Sequence, residues 1–570
     1  MPEIRLDLRQ PHQQLVQVSL RFRPRQSPVR LRLPAWTPGS YLIRDYVRNL
    51  EGLEAFADDA PVPLRRRGVA AWQLDAPPGS GQLRLTYRIQ ATELSVRTCH
   101  LSAEHGFLAL AAVVLQVEGE RWTPHRLELL LPEGWSPFVP LPVADDGCWL
   151  AADYDQLIDA PVEVGPHPVH AFTVAAVPHR WVSWGDDLPV QDRDWLTDVA
   201  RVCEACCRLM GETAPASSDY LFVLHLLEKG YGGLEHDDAS VLVFSRLQLQ
   251  EPQGRRKLLQ LVAHEYLHQW NVRRLRPVEL RPYDYDSPTI IPTLWFFEGV
   301  TSYLDQLLPL AAGISAEAEL LEDLGADLSR YLFTAGRAVQ SLRSSSQEAW
   351  VKLYRQDAHS ADNQISYYLK GAVIALVLDL HLRRHGSWLG AVLQQLWRSH
   401  GRFHRGISDD DLLQAFSADA PDLVTLLPGW LDGVEDPPLQ AALAEVGLLL
   451  RSERATTWDA GWDADLRDGQ LLVRRVARAG AAQRCGLQVG DELIALGGRR
   501  LRSNACLSTV LHSQGESVPS LPLLICRDGR VRELTLTPDP PAIHRWHLEE
   551  DPEATPESRA LRRRWCRLMP

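Results

Sequence analysis

The chain has 570 residues, 45% hydrophobic and 23% charged, which is typical of a globular protein with more than one domain. Its formal net charge of -13 at pH 7 argues against a nucleic-acid-binding protein, which needs a basic surface. The first residues lack the apolar core of a signal peptide, and no apolar run reaches the roughly 20 residues that span a bilayer. We therefore expect a cytoplasmic protein with no membrane or nucleic-acid partner.

Polar and apolar residues alternate through most of the first 170 residues, in stretches separated by proline, glycine and aspartate turns. This pattern predicts an antiparallel β domain over 1–170. Helical periodicity then dominates to about residue 455, apart from a strand candidate at "DYLFVLHLL". Alternation returns over 456–540, which indicates a separate small module, and 541–570 is predicted to be a tail with a basic helical stretch.

The nine cysteines are odd in number and have no framework spacing, which favours reduced thiols. Cys203, Cys206 and Cys207 lie close together in the sequence. No second pair of cysteines or histidines is spaced to complete a metal site with them. We expect these three to be buried helix thiols.

The stretch "LVAHEYLHQW", residues 261–270, carries two histidines four residues apart. Residues with this spacing share one face of a helix, so His264 and His268 can present their imidazoles to one zinc ion. Glu265, beside the first histidine, can take a proton from water without being a ligand. The alternative is a pair of core histidines with a surface glutamate.

A third ligand is predicted in "LWFFEGVTSYLD". Glu298 would complete a site of two histidines and one carboxylate, which leaves a fourth position open for water. Asp305 follows two helical turns later on the same face, where its carboxylate can orient a ligand histidine. The alternative for Glu298 is an acidic residue favoured at a helix N-terminus.

Substrate-binding residues are predicted in "EKGYGGLEHDDASVLVF". Gly232 and Gly233 would let another backbone approach the edge of a strand, and Glu235 at its end could pair with an ammonium group. A glycine-rich hairpin with a surface acid explains this stretch equally well.

Tyr367 and Tyr368 stand at the start of a strongly apolar helical stretch, "SYYLKGAVIALVLDLHLRR". A tyrosine hydroxyl above the metal could donate a hydrogen bond to an oxyanion. Core aromatics with one solvated edge are an equally good interpretation of these two residues.

The motifs "HEYLHQW", "WFFEG", "GGLEH" and "YYLKG" resemble the gluzincin metallopeptidases, and nearly the whole chain is similar to their glycyl aminopeptidase family. The resemblance implies a multidomain α+β fold with an N-terminal β domain. It further implies a thermolysin-like zinc peptidase domain over 171–320, a helical domain over 321–455 that completes the active site, and a PDZ domain over 456–540.

The same resemblance implies a role for each matched residue. His264, His268 and Glu298 would bind one zinc ion per chain. Glu265 would be the general base, and Tyr368 would stabilise the transition state. The substrate-binding residues would be Glu235, as the anchor for the amino terminus, with Gly232 and Gly233. Those relatives usually carry asparagine where this chain has His236, so recognition of the amino end differs in detail.

The sequence leaves the roles of two further segments undecided. "GAAQRCGLQVGDELIALGGRRL", residues 480–501, resembles the core of bacterial PDZ domains, which capture peptide C-termini by strand addition. Gly461 and Trp462 are the candidate peptide-binding loop, although a structural or regulatory module is equally consistent. "WTPGSY" is interpreted mainly as a turn, with Arg44 and Asp45 facing the catalytic domain.

The sequence thus predicts a zinc aminopeptidase that hydrolyses the N-terminal residue of peptides, and the family implies a preference for Gly or Ala. One alternative is a zinc endopeptidase whose PDZ domain selects substrates. The other is a non-catalytic peptide-binding scaffold, although a scaffold has no need of Glu265.

Overall fold

The β domain forms as the alternation predicts. The structure is a computed structural model, which describes residues 1–75, 81–187, 194–512 and 520–569. The strands of the first domain are β1 (Glu3–Asp7), β2 (Leu15–Phe22), β3 (Val29–Arg32), β4 (Leu50–Ala57), β5 (Ala60–Val62), β6 (Leu64–Gly68), β7 (Ala71–Leu74), β8 (Leu83–Gln90), β9 (Cys99–Leu101), β10 (Gly106–Ala109), β11 (Gln116–Val117), β12 (His125–Leu130), β13 (Ser136–Phe138), β14 (Trp149–Ala151) and β15 (Pro161–Gly165).

These strands form a seven-stranded sheet, in the order β14-β12-β1-β2-β8-β4-β5, and two four-stranded sheets. Alternate side chains of β1 and β2, such as Leu6 and Val18, enter the core. The predicted purely antiparallel arrangement is wrong at one pair, because β1 runs parallel to β12. Parallel neighbours cannot be joined by a hairpin, and most of the domain lies between these two strands in the sequence.

A five-stranded sheet follows, in the order β16-β17-β18-β20-β19. Its strands are β16 (Val169–Val174), β17 (Val177–Trp184), β18 (Tyr220–Leu227), β19 (Tyr231–Glu235) and β20 (Ala239–Ser245). The three inner strands are parallel, and β18 is buried along almost its whole length, as expected of a strand covered on both faces. β19 is antiparallel to β20 and lies at the edge.

Helices dominate the central part of the chain. They are α1 (Tyr154–Asp159), α2 (Asp194–Leu209), α3 (Arg246–Leu249), α4 (Gly254–Leu267), α5 (Val300–Ala311), α6 (Glu317–Phe333), α7 (Leu342–Gln347), α8 (Ser360–Asn363), α9 (Tyr367–Arg384), α10 (Leu389–Ser399), α11 (Asp409–Asp419), α12 (Leu423–Asp432) and α13 (Leu439–Glu445). Two short strands, β21 (Arg276–Pro277) and β22 (Gly406–Ile407), pair in parallel. No described helix combines the length and the apolar character needed to cross a bilayer.

The C-terminal module has a hydrophobic core of its own, which includes Val473, Leu493 and Ile525. Its elements are β24 (Trp462–Arg467), β25 (Gln470–Val476), α14 (Ala481–Arg484), β26 (Glu492–Leu496), β27 (Arg499–Arg500), α15 (Asn504–His512), β28 (Leu521–Arg527) and β29 (Arg530–Leu536). The guanidinium of Arg475 lies 2.8 Å from the carboxylate of Asp362, which joins the module to α8.

Residues 541–569 do not form the separate tail that was predicted for 541–570. β30 (Ile543–Glu550) pairs with β23 (Leu448–Arg454), which precedes the module, and α16 (Pro556–Cys566) packs on the body of the protein. This packing buries the apolar side chain of Trp565 completely. The Trp565 Nε1 also donates a hydrogen bond to the Tyr303 hydroxyl at 2.6 Å.

The cysteines are free thiols, and Cys203, Cys206 and Cys207 lie buried on α2. Burial raises the pKa of all three thiols, so they stay protonated and unreactive.

Candidate active site

The two motif histidines lie one turn apart at the end of α4 and face a single carboxylate. Glu298 Oε2 is 3.6 Å from His264 Nε2 and 3.2 Å from His268 Nε2. One ligand atom from each residue lies within 4.8 Å of the other two. We call these three residues the cleft cluster. The structure therefore brings together all three predicted ligands.

Glu298 reaches the histidines from a short π-helical turn, Trp295–Gly299, that runs directly into α5. Such turns are rare and concentrate at functional sites. Gly299 packs against Gly371 of α9, and a Cβ on Gly299 would lie 2.5 Å from the Gly371 Cα. The two glycines allow backbone to touch backbone, which carries the first turn of α9 up to the cleft cluster.

Each histidine is held through its second ring nitrogen. His264 Nδ1 donates to Asp305 Oδ2 at 2.8 Å, and His268 Nδ1 donates to the Asn271 carbonyl at 2.5 Å. Burial raises the pKa of Asp305 to about 6, against the opposing effect of His264. Asp305 thus stands where it was predicted. Asn271 was not predicted; its side chain also donates to Thr301 Oγ1 at 3.2 Å, which ties the two ligand-bearing helices together.

The cleft cluster fits a divalent metal. Two imidazoles and one carboxylate are a donor set that zinc takes in hydrolases, and metal-ligating histidines usually donate their other N–H to a carboxylate or carbonyl. Both outer partners are present. Glu265 Oε2, beside the cluster, is buried without a hydrogen-bond partner among the described residues, as expected of a group awaiting water or substrate.

The Glu265 carboxylate lies between the cleft cluster and β19, within 4.8 Å of the His268 ring nitrogen. A Cβ on Gly233 would lie 2.3 Å from Glu265 Oε1, so only glycine fits at this position of the strand. Burial raises the pKa of Glu265 to about 7, although His264 and His268 act in the opposite direction. A carboxylate with a pKa near neutrality can both take and return a proton.

Glu235 stands at the end of β19, 4% exposed, with its carboxylate within 4.8 Å of that of Glu265. The turn of "WTPGSY" closes over it, because a Cβ on Gly39 would lie 2.6 Å from Glu235 Oε1. Gly39 has φ +80°, a backbone conformation that favours glycine. This turn therefore also shapes the site, which the sequence interpretation missed. Glu235 Oε1 has no hydrogen-bond partner in the described parts of the chain.

Tyr368 borders the same cavity, and its ring lies 6.3 Å from that of His264. Its hydroxyl is 3.3 Å from the hydroxyl of Tyr354, which is also 3.3 Å from that of Tyr367. Tyr354 was not predicted, since nothing in its local sequence distinguishes it from a core aromatic. Burial raises the pKa of Tyr368, so it remains a neutral hydroxyl donor.

These groups border one cavity of about 470 Å³, which includes Gly232, Gly233 and Asp305. A larger cavity of about 690 Å³ lies in the β domain and near its border, lined partly by Trp72 and Tyr46. Its lining contains none of the clusters of metal-binding side chains found in the described residues. The chemistry therefore points to the smaller cavity.

Three other residues singled out from the sequence do not line the 470 Å³ cavity. His236 is buried next to Glu235, with its Nδ1 3.4 Å from Asp159 Oδ1 of the β domain. Gly461 and Trp462 lie at the start of β24, where Trp462 pairs with Val476 across the sheet. Gly461 has φ +74° and packs against the backbone of α14.

A second group of histidines surrounds Glu163 of β15, between the β domain and the five-stranded sheet. His105 Nδ1, His167 Nε2 and His225 Nε2 each lie 2.9 Å from its carboxylate. We call these four residues the interior cluster. Burial alone would raise the pKa of Glu163, but the imidazoles outweigh it and hold that pKa well below its usual value.

Two segments of the chain match models of one peptidase family. Residues 3–166 match the Peptidase M61 N-terminal domain, and residues 257–374 match M61 glycyl aminopeptidase. A search of curated proteins gave no match.

A solved structure extends the likeness to nearly the whole chain. An aminopeptidase N family protein from Idiomarina loihiensis is 28% identical, with a TM-score of 0.92 over 98% of this chain and 99% of its own. An M1 zinc metallopeptidase from Deinococcus radiodurans is 16% identical, with a TM-score of 0.48 over 77% of this chain and 94% of its own. The second likeness is too weak to support an argument.

Proposed function

We propose that this metallopeptidase, both of whose matched segments are of the M61 family, is a zinc aminopeptidase that removes the N-terminal residue of peptides. The observation that carries the proposal is the Glu235 carboxylate, which is buried and within 4.8 Å of Glu265. The amine of an N-terminal residue lies only two bonds from the scissile carbonyl carbon. An anchor for that amine must therefore stand within a few ångströms of the base, as Glu235 does.

The cleft cluster would hold one zinc ion per chain through His264, His268 and Glu298. Zinc bound there supplies Lewis acidity, which polarises a carbonyl and activates water. Asp305 and the Asn271 carbonyl fix the orientation of the two imidazoles.

In the reaction, Glu265 takes a proton from the attacking water and later delivers it to the leaving amine. Burial raises the pKa of Glu265, which makes this carboxylate a better proton acceptor than an exposed one. The Tyr368 hydroxyl donates a hydrogen bond to the oxyanion that forms on the scissile carbonyl. Tyr354, hydrogen-bonded to Tyr368, holds that hydroxyl in place.

Glu235 neutralises the substrate ammonium, and the open edge of β19 pairs with the peptide backbone. A peptide with a blocked amino terminus would leave this buried carboxylate unpaired, which costs about 1–3 kcal/mol or more. This cost favours the aminopeptidase over the endopeptidase that the sequence left open.

Three finer proposals accompany this one. The tight contact of Gly39 with Glu235 limits the space beside the amine, which is consistent with a preference for Gly or Ala. The free thiols are consistent with a reducing, cytoplasmic location. The C-terminal module, with its own core and strand-rich fold, is consistent with a PDZ domain that binds a peptide C-terminus.

The test is hydrolysis of a matched pair of peptides, Ala-leading with a free or an N-acetylated amino terminus, with bound zinc quantified. Wild type should cleave only the free peptide. Glu265→Gln should retain zinc and lose about 10²–10⁴-fold in kcat, because it lacks the base.

Glu235→Gln is the informative companion, because it should raise KM for the free peptide while zinc stays bound. Equal cleavage of both peptides by wild type would point to the endopeptidase. No cleavage of any peptide by a zinc-loaded wild type would point to the scaffold.

A further inference from the structure

Arg97 belongs to the β domain but reaches into the active-site cavity. It lies in the connection between β8 and β9, and its Nη2 donates to the Gly233 carbonyl of β19 at 3.1 Å. It lines the cavity together with Glu235 and Tyr368. This fixed hydrogen bond gives the guanidinium a defined place at the open edge of the substrate-binding strand.

The charge of Arg97 is not matched by a carboxylate. In the described parts of the chain it has no ion-pair partner, and its Nε is buried without a hydrogen bond. The other two cations of the cavity are paired: Lys257 lies 2.8 Å from Asp323, and Arg330 lies 3.2 Å from Asp327. Arg97 is thus the cavity cation that retains binding capacity for an anion.

A second guanidinium reinforces this imbalance. Arg44 is half-buried beside the "WTPGSY" turn and donates a hydrogen bond to the Ser40 hydroxyl at 2.9 Å. It too has no ion pair within the described residues. Burial lowers the pKa of Arg44, and the charge of Arg97 lowers it further. Two poorly solvated like charges are costly unless an anion offsets them.

We propose that Arg97 forms a subsite for a carboxylate of the peptide substrate, in first place the C-terminal carboxylate of a di- or tripeptide. Gly233, whose carbonyl holds the Arg97 guanidinium, is two residues before Glu235. The guanidinium and Glu235 therefore lie about 7 Å apart along the strand. An extended dipeptide spans about 7 Å, which matches this separation, and a tripeptide is about 3 Å longer. This inference rests on the proposed aminopeptidase function.

The experiment compares trialanine with its C-terminal amide as substrates. Wild type should prefer the free acid about 10- to 100-fold in kcat/KM, mainly through KM, since a charge-assisted bidentate contact is lost with the amide. Arg97→Gln should bring the ratio of the two substrates close to 1, and Arg97→Lys should keep part of it. A ratio near 1 in wild type, or an unchanged ratio in Arg97→Gln, would overturn the proposal.

Arg330→Gln is the matched control, because it removes an arginine of the same cavity that already has a carboxylate partner. Its acid-to-amide ratio should equal that of wild type. To identify the source of the carboxylate, Ala-Asp-Ala amide is compared with trialanine amide. Faster hydrolysis of the aspartyl peptide that depends on Arg97 would assign the subsite to an acidic side chain rather than to a chain end.

Binding separates this proposal from the proposed function. Titration calorimetry of zinc-loaded Glu265→Gln, with and without Arg97→Gln, measures affinity for trialanine and its amide without turnover. If wild type hydrolyses neither peptide, the aminopeptidase proposal fails, but an Arg97-dependent affinity for the acid would still support the subsite. If Arg97→Gln does not fold, judged by lost zinc, the wild-type ratio and Arg97→Lys decide.

Discussion

The cleft cluster and the interior cluster both consist of histidines around a glutamate. They differ in the partners of the second nitrogen of each imidazole ring. In the cleft, one ring nitrogen of His264 and of His268 faces the Glu298 carboxylate. The other ring nitrogen donates a hydrogen bond to an outer acceptor. In the interior, His105 Nε2 and His225 Nδ1 have no hydrogen-bond partner among the described residues.

This difference distinguishes a metal site from a hydrogen-bonded carboxylate. A metal-bound imidazole carries a proton on its far nitrogen, and that proton needs an acceptor. In the interior cluster a neutral imidazole can donate to Glu163 and leave the far nitrogen bare. His105, Glu163 and His225 have no exposed surface, whereas the side chain of His264 is 12% exposed and lines the cavity. We therefore expect one cluster to bind metal and the other to hold two domains together.

The largest contrast should come from removing one histidine of each cluster. His268→Ala should take the protein from about one zinc per chain to nearly none, and should abolish hydrolysis, because two ligands do not hold a catalytic zinc. His225→Ala should keep its zinc. Elemental analysis of both purified variants measures this directly, and a loss of zinc from His225→Ala would show that the interior cluster binds the metal.

The second contrast is in stability. Glu163→Gln leaves three imidazoles around an uncharged amide, one side of which is a donor, and should lower the free energy of unfolding by about 1–3 kcal/mol, because buried hydrogen bonds are lost. Zinc content should be unchanged. Denaturant unfolding measures the effect, with Glu104→Gln as the matched control, since Glu104 is exposed in the turn between β9 and β10, next to His105. If both variants unfold alike, Glu163 is not a structural carboxylate.

A smaller effect is expected from the outer partner of the cleft cluster. Asp305→Asn cannot accept the His264 proton as strongly and should weaken zinc binding about 10- to 100-fold, with little change in unfolding of the metal-free protein. Competition with a zinc chelator of known affinity measures the change. Unaltered affinity would show that outer partners do not distinguish the two clusters.

The smallest effect is a difference in acid sensitivity. Because the pKa of Glu163 is lower in the folded protein than in the unfolded chain, its stabilisation is complete above the unfolded value near 4.3 and is lost as pH falls toward the folded value. Chelator-treated wild type should therefore lose stability faster below about pH 4.5 than Glu163→Gln does. Parallel curves of unfolding free energy against pH for the two proteins would contradict this.

The sequence was most informative where a function depends on spacing along one helix. Helical spacing predicted that His264 and His268 share one face and that Asp305 follows Glu298 on another, and the prediction of a metallopeptidase is confirmed. The β-rich first domain and the helical region were also predicted from periodicity.

The remaining features depend on packing between distant segments, which periodicity does not record. Gly39 and Arg97 reach Glu235 and Gly233 only because the β domain folds against the edge of the five-stranded sheet. The interior cluster likewise draws on separate strands. The final segment looked like a tail because its few apolar residues are scattered among charges, yet one of them, Trp565, is fully buried.

That last contact sets an order of events in the life of the molecule. Trp565 donates to the Tyr303 hydroxyl, which donates to Asp379 at 2.7 Å, and Tyr303 lies on α5 between Glu298 and Asp305. A ribosome makes the chain from its amino end, and domains fold in that order. The α5 helix, which carries Asp305, therefore gains this contact only after residue 565 has been synthesised.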